Sequence, residues 1–193
     1  MNGSGDSIAK GWCSVKVEVS FDEGYRKLPI RPVYLVSCGH GGKWNVFSVG
    51  MFAYFSGKPD LVGIGVARSR YSYELIRESG AYVVNVVDEG LMGAVKVCGE
   101  NSGRNVDKFK LAGLTAVPAS RVDAPLVEES PLSLECKVVQ VVDVGNRVWF
   151  MGEVLATHCR EGYDWKDGLL LKWVGEAGKD GLYYKVDKHI GKY

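Results

Sequence analysis

Net charge is almost absent from this chain. Its 24 lysines and arginines stand against 23 aspartates and glutamates, a formal +1 over 193 residues. A field that weak gives no reason to expect nucleic acid or an anionic membrane as a partner. No apolar run approaches the ~20 residues that cross a bilayer. The first residues, MNGSGDSIAKGW, lack the apolar centre of a secretory signal. These absences predict a cytoplasmic protein. Cysteine is present but unorganised: Cys13, Cys38, Cys98, Cys136 and Cys159 are far apart and include no Cys-x-x-Cys pair. A structural zinc, an iron–sulfur cluster and a thioredoxin-like centre are therefore not expected, and several of the cysteines read as small core residues on strands. The histidines, His40, His158 and His189, are scattered and favour no metal site. There is no Ser/His/Asp set, paired-carboxylate motif or Walker sequence. Gly63-Ile64-Gly65 lies inside an apolar run with no third glycine at the dinucleotide-binding spacing, and Gly39-His40-Gly41-Gly42 has no helix after it.

What is present is mostly short and β-branched. Hydrophobic residues make up 46% and charged residues 24%, enough for one well-buried core and a single domain over 1–193. Val15–Val19 alternates, and Val33–Cys38 and Leu61–Ala67 read as buried strands. Tyr82–Val87 follows a helix that Gly80 is placed to end. Leu132–Val144 and Arg147–Thr157 form a long hairpin through Gly145-Asn146, and Leu182–Val186 reads as a last strand. The helices predicted are Ser72–Ser79 with Ser69 or Ser72 as N-cap, Glu89–Cys98, and Val106–Ala112 with Asn105 as cap. The sum is a mainly β fold, a closed or nearly closed barrel decorated by a few short helices.

Two segments carry the chemistry. Arg68-Ser69-Arg70-Tyr71-Ser72 sits where a strand gives way to a helix. Free N–H groups and the positive dipole end of that helix, joined by guanidinium groups, suit a phosphate. The bland alternative is a solvated helix start. Arg70 is the stronger candidate of the two arginines, because strand alternation puts Arg68 on its face only if the strand continues that far. The polar strand from Asn45 to Ser56 is expected beside Leu61–Ala67, and its small residues Ser48, Gly50, Ala53, Ser56 and Gly57 leave room for a flat ring. Ser48 could instead satisfy a nearby carbonyl. Trp44, Phe47, Phe52, Tyr54 and Phe55 read mainly as core or interface packing. His158, at a strand end, reads more as a hydrogen-bonded edge residue than as a nicotinamide contact.

Taken in order, Asn45-x-x-Ser48, Ser56-x-x-Pro59 and Arg68-x-Arg70-Tyr71-Ser72-Tyr73-Glu74-Leu75-Ile76 resemble the flavin reductase-like family of FMN-binding split barrels, which includes flavoredoxin. Glu78-Ser79-Gly80 before Tyr82-Val83-Val84-Asn85 is similar to the same family, as are Ser102-Gly103-Arg104-x-x-Asp107-Lys108-Phe109 and Gly152-Glu153-Val154. The family often has threonine where this chain has Ser48, and two prolines where it has Pro59-Asp60. The resemblance implies a Greek-key split barrel that dimerises with FMN in a groove at the subunit interface. It places Asn45, Val46, Phe47, Ser48, Val49 and Ser56 along the flavin ring and ribityl chain. Arg68, Ser69, Arg70, Tyr71 and Ser72 would surround the phosphate. Ser102 to Lys108 would approach the site, with the partner subunit as a candidate source. The implied activity is hydride transfer from NADH or NADPH, bound transiently, to FMN N5. Electrons then pass to free flavin, ferric iron, oxygen or a partner protein. Side-chain catalysis is not required, since the cofactor is the reactive centre. The alternatives are an electron carrier of the flavoredoxin type and a barrel for another phosphate-bearing cofactor, such as pyridoxal phosphate or a deazaflavin.

Overall fold

The computed structural model describes residues 16–25, 31–164, 170–172 and 183–185. In chain order these form α1 (Phe21–Tyr25), β1 (Arg31–Pro32), β2 (Tyr34–His40), β3 (Lys43–Val49), β4 (Phe52–Gly57), β5 (Asp60–Val66), α2 (Tyr71–Ser79) and β6 (Ala81–Val86). A 3-10 turn (Glu89–Leu91) then leads into α3 (Met92–Glu100) and α4 (Lys108–Ala112). The chain continues with β7 (Ala116–Pro118), β8 (Pro125–Val127), β9 (Leu132–Val144), β10 (Arg147–Cys159), β11 (Leu170–Lys172) and β12 (Tyr183–Lys185).

Seven strands form one sheet in the order β3-β2-β6-β9-β10-β5-β4, antiparallel at every pairing. Its two edge strands, β3 and β4, are consecutive in sequence and joined only by Gly50 and Met51. Since neighbouring Cα atoms are ~3.8 Å apart, that link forces the two edges of the sheet together. A contact across the seam agrees: the rings of Tyr34 on β2 and Phe52 on β4 lie 4.4 Å apart. The result is a mainly β barrel, split between β3 and β4.

Turn chemistry sets the register of two hairpins. Gly41 and Gly42 have φ of 58° and 77° and close β2 onto β3 with His40 opposite Lys43. Positive φ at both central positions is what a twisted two-residue hairpin demands. Gly145, at φ 57°, does the same between β9 and β10, where Val144 faces Arg147. The β3-β2-β6 part of the sheet is buried on both faces. Val36, Ile64, Tyr82 and Phe150 pack with Leu75 and Ile76 of α2. Leu35, Val46 and Val127 pack on the other side with Val95 of α3 and Phe109 of α4. Leu35 and Val36 thus point to opposite clusters, which explains the unbroken apolar run of β2. Each such fully buried side chain contributes about 1.5–3 kcal/mol. Asn85 ties four strands together: its Nδ2 donates to Leu35 O and Ser37 Oγ (3.1 and 3.0 Å), and its Oδ1 accepts from Val127 N and Ser133 Oγ (3.1 and 2.8 Å).

Several expectations need correcting. Residues 16–20 are exposed and form no strand, with Val17 at 75% exposure; no strand among the described residues pairs with them. Val15 lies outside the described residues, as does part of Leu182–Val186, of which Tyr183–Lys185 is β12. The polar segment is two strands rather than one, and only β4 pairs with β5. Helix α4 starts at Lys108 with Asp107 as its cap, accepting the Lys110 N–H at 3.1 Å, in place of Asn105.

Candidate functional site

β5 stops at Val66, and residues 67–70 turn through an Arg70 N–H bond to the Ala67 carbonyl at 3.0 Å. Helix α2 begins immediately after. Its N-cap is Arg70, in extended conformation (φ −80°, ψ 141°), and no side chain closes the first turn. Neither Ser69 nor Ser72 is therefore the cap that the sequence pattern suggested. At the other end Gly80 adopts φ 65° and its N–H bonds the Ile76 carbonyl at 2.8 Å, as expected of a terminator.

A cavity of about 300 Å³ opens at this helix start, in the seam of the barrel. From β3 it is lined by Asn45, Phe47, Ser48 and Val49, and from the α2 approach by Ser69, Arg70, Tyr71 and Ser72. Ser102, in the loop after α3, completes the set of sequence candidates brought together here. That loop lines the cavity of its own chain. Glu74 and Arg104 hold it against α2 through a paired guanidinium–carboxylate contact, with Arg104 5.2 Å from the Tyr71 ring. The contact lowers the Glu74 carboxyl below its usual range and is solvent-exposed.

Three candidates lie elsewhere. Val46 is fully buried with Leu35 and Val95 on the other face of β3. Ser56 accepts the Lys58 N–H at 3.2 Å in the β4–β5 turn. Arg68 points out of the cavity: it bonds the Tyr73 hydroxyl at 3.1 Å and pairs with Asp143 at the surface. The turn after Val66 breaks strand alternation, so the two arginines do not share a face.

Charge in the cavity has one sign. Arg70, Lys108 and Arg147 line it, and no aspartate or glutamate is among the described residues that do. Lys108 is buried and donates to the Cys98 carbonyl at 2.9 Å. Burial holds its ammonium below the ordinary lysine value; the Cys98 and Cys38 thiols oppose that shift, and Arg70 reinforces it. Burial also pushes the Cys98 thiol up to about 11 and the Cys38 thiol to about 12, so both stay protonated and inert at neutral pH. Arg147 went unnoticed in the sequence because its place depends on β10 pairing with β5, where Val148 faces Val66. Lys108 was noticed only as part of the Ser102–Lys108 segment.

Asn45 is the telling side chain. It is 3% exposed, and its Oδ1 is the one buried side-chain oxygen or nitrogen among the described residues without a hydrogen-bond partner. An unpaired buried carbonyl is costly, which points to a donor on a ligand. Gly103 packs on this amide; a Cβ there would collide with Asn45 Oδ1 and lie 3.1 Å from Tyr71 Cδ1. Ser48, by contrast, donates to the Val95 carbonyl at 2.5 Å, anchoring α3 to β3. His158 is taken up by buried Glu135 at 2.6 Å and does not line the cavity. No cluster of three or more histidine, cysteine or acidic residues among the described residues could hold a metal. No helix of the described residues is long and apolar enough to cross a membrane.

Barrel and cavity together define a flavin-type split barrel, and comparison with known proteins agrees. Residues 26–176 match the flavin reductase like domain, and the chain belongs to that family. An uncharacterized protein of Pyrococcus abyssi is 31% identical over 87% of this chain and 90% of its own length. The flavoredoxin of Methanosarcina acetivorans superposes with a TM-score of 0.81 at 27% identity, over 93% of this chain and 95% of that one. An FMN-binding protein from Thermus thermophilus has the same fold, with a TM-score of 0.75 at 22% identity over 93% of this chain and 99% of that one.

Proposed function

We propose that the chain is an FMN-dependent oxidoreductase that uses NADH or NADPH to reduce a further acceptor such as free flavin, ferric iron, oxygen or a partner protein. The observation carrying this reading is that every charged residue lining the cavity at the uncapped start of α2 is a cation, within a flavin reductase-like fold. The residues fit the cofactor. Arg70, Lys108 and Arg147 match an anionic tail, and the orphaned Asn45 Oδ1 awaits a donor such as a ring N–H or a ribityl hydroxyl. FMN, when bound, supplies the two-electron chemistry between nicotinamide and acceptor. The side chains do the rest by binding and exclusion. Arg70 and the α2 N–H groups neutralise and orient the tail. Phe47, Val49, Met51 and Tyr71 keep water from the walls.

A homodimer is part of the proposal. Tyr54, Phe55, Val139, Val141 and Leu155 are exposed apolar residues on the sheet, available to a second copy. The test of function is anaerobic addition of NADH or NADPH to the yellow holoprotein. Rapid bleaching of the flavin band is expected. Bleaching only by a reduced protein donor would replace the reductase by an electron carrier, a reading favoured by the similarity to flavoredoxin. A colourless preparation that ignores added FMN would refute both.

A further inference from the structure

Residues 101–107 join α3 to α4, and Asn101, Ser102 and Gly103 among them form one wall of the cavity. We infer that this loop is a gate for the cofactor, latched by the Glu74–Arg104 pair, and that the latch sets how fast FMN enters and leaves. The inference rests on the FMN reading above and deepens it. The rate of exchange decides whether the flavin stays as a bound cofactor or departs in reduced form as a product.

The loop is built to move as one piece. The Ser102 carbonyl accepts the Asn105 and Val106 N–H groups at 3.0 and 3.2 Å, and Ser102 Oγ accepts the Arg104 N–H at 3.3 Å. Both ends are fastened. Asn101 donates to the Val97 carbonyl through its N–H and its Nδ2, at 3.2 and 2.9 Å, and buried Lys108 donates to the Cys98 carbonyl at 2.9 Å. Between these anchors Ser102 and residues 104–107 are exposed. A segment with a folded interior, fixed ends and little buried surface opens locally while the rest of the fold stays intact.

Its hold on the barrel is polar. Gly103 lies so close to the Asn45 amide that a Cβ there would collide, yet Asn45 Oδ1 has no partner and gives the loop no bond. Arg104 supplies the hold. It reaches the first turn of α2, where Nη1 donates to Glu74 Oε2 at 2.7 Å and Nη2 to Oε1, with the guanidinium 5.2 Å from the Tyr71 ring. The opposite wall of the cavity, from Ser69 to Ser72, leads into that same helix, so the pair fastens one wall to the other. The enclosed space is about 300 Å³. That is the small end of the roughly 300–1,000 Å³ of ligand sites, whereas FMN carries a tricyclic ring, a ribityl chain and a phosphate. The wall built to yield is the loop. Opening breaks the same exposed pair whether FMN enters or leaves, so the latch slows both steps alike and leaves the affinity unchanged.

Stopped-flow fluorescence with FMN measures both rates. Glu74→Gln should raise the association and dissociation rate constants together, about two- to fivefold, the worth of an exposed ion pair, with Kd unchanged. Arg104→Gln should do the same, and the double variant should add nothing further, because a single pair is broken. Riboflavin, which has no phosphate to screen, isolates the latch: salt should speed its exchange with the wild type and not with Glu74→Gln. A rise in dissociation alone, with weaker affinity, would overturn the gate and make the pair a prop for bound flavin. Unchanged rates in both single variants would also overturn it, leaving FMN to enter through the seam. Additive effects in the double variant would do so as well, giving each residue its own contact with the flavin. A protein that takes up neither FMN nor riboflavin would refute the cofactor reading and the gate with it, whereas FMN binding with unaltered exchange refutes the gate alone.

Discussion

Replacing Arg70 with alanine removes a guanidinium from the cavity while touching little that holds the fold. Arg70 is exposed, and its side chain makes no cap bond to α2, so the helix start keeps its backbone geometry. Surface changes of that kind stay within about 0.5 kcal/mol of wild-type stability. The effect on FMN is expected to be far larger. A hydrogen bond to a charged group is worth about 1.5–3 kcal/mol, and about 1.4 kcal/mol is tenfold in affinity. The FMN dissociation constant should therefore rise about ten- to a hundredfold. Arg68→Ala is the matched control, because its partners are the Tyr73 hydroxyl and surface Asp143. Losing an exposed pair costs at most about 1 kcal/mol of stability, and FMN affinity should not change. Fluorescence titration with FMN and with riboflavin separates tail from ring. Arg70→Ala should bind riboflavin as the wild type does. Unchanged FMN affinity, or an equal loss for riboflavin, would refute the phosphate assignment.

Gly103→Ala should lower both FMN affinity and melting temperature, since the new methyl displaces Asn45 and crowds Tyr71, an overpacking cost of about 1–3 kcal/mol; wild-type values for both would count against the role given to Asn45. Acid stability should depend on Glu135. Burial pushes its carboxyl up, but the Ser120 N–H and hydroxyl, His158 and the Arg121 N–H outweigh that and hold it below the ordinary glutamate value. A depressed folded-state pKa adds stability above the unfolded value of about 4.3 and loses it as pH falls through the folded value. Denaturant midpoints should drop below about pH 4.3, and Glu135→Gln should flatten that drop; an identical slope in the variant would show that other carboxylates cause it.

Local chemistry that stays local was readable in the sequence. β2 announces itself as an unbroken apolar run because both of its faces are covered, and Gly145-Asn146 marks its hairpin because the turn needs a positive φ. The flavin reductase-like order of motifs was legible for the same reason. What was hidden depends on pairing between distant segments. The alternation of 15–19 looks like that of a strand, but no neighbour among the described residues pairs with 16–19. Asn45 to Ser56 reads as one polar strand until the Gly50–Met51 link sends its halves to opposite edges. Arg147 joins the cavity only through the β10–β5 register. Lys108 looks like a solvated helix residue, and its burial follows from the approach of α4 to the Cys98 carbonyl.

The seam and the cavity coincide for a physical reason. A sheet satisfies its own backbone polar groups wherever a strand has two neighbours, and such backbone has nothing left for a ligand. Among the described residues β3 pairs only with β2, so one row of its N–H and C=O groups lies outside the ladder. In an ordinary sheet that edge would be a liability open to any passing strand. Here β4 is brought round to face it, and Arg70, Ser102 and Lys108 close over the gap. The uncommitted backbone of β3 is thereby enclosed within a cationic cleft, where a flat polar ring with an anionic tail can use it and a second strand cannot. Closing the barrel fully would stabilise the sheet and remove the site.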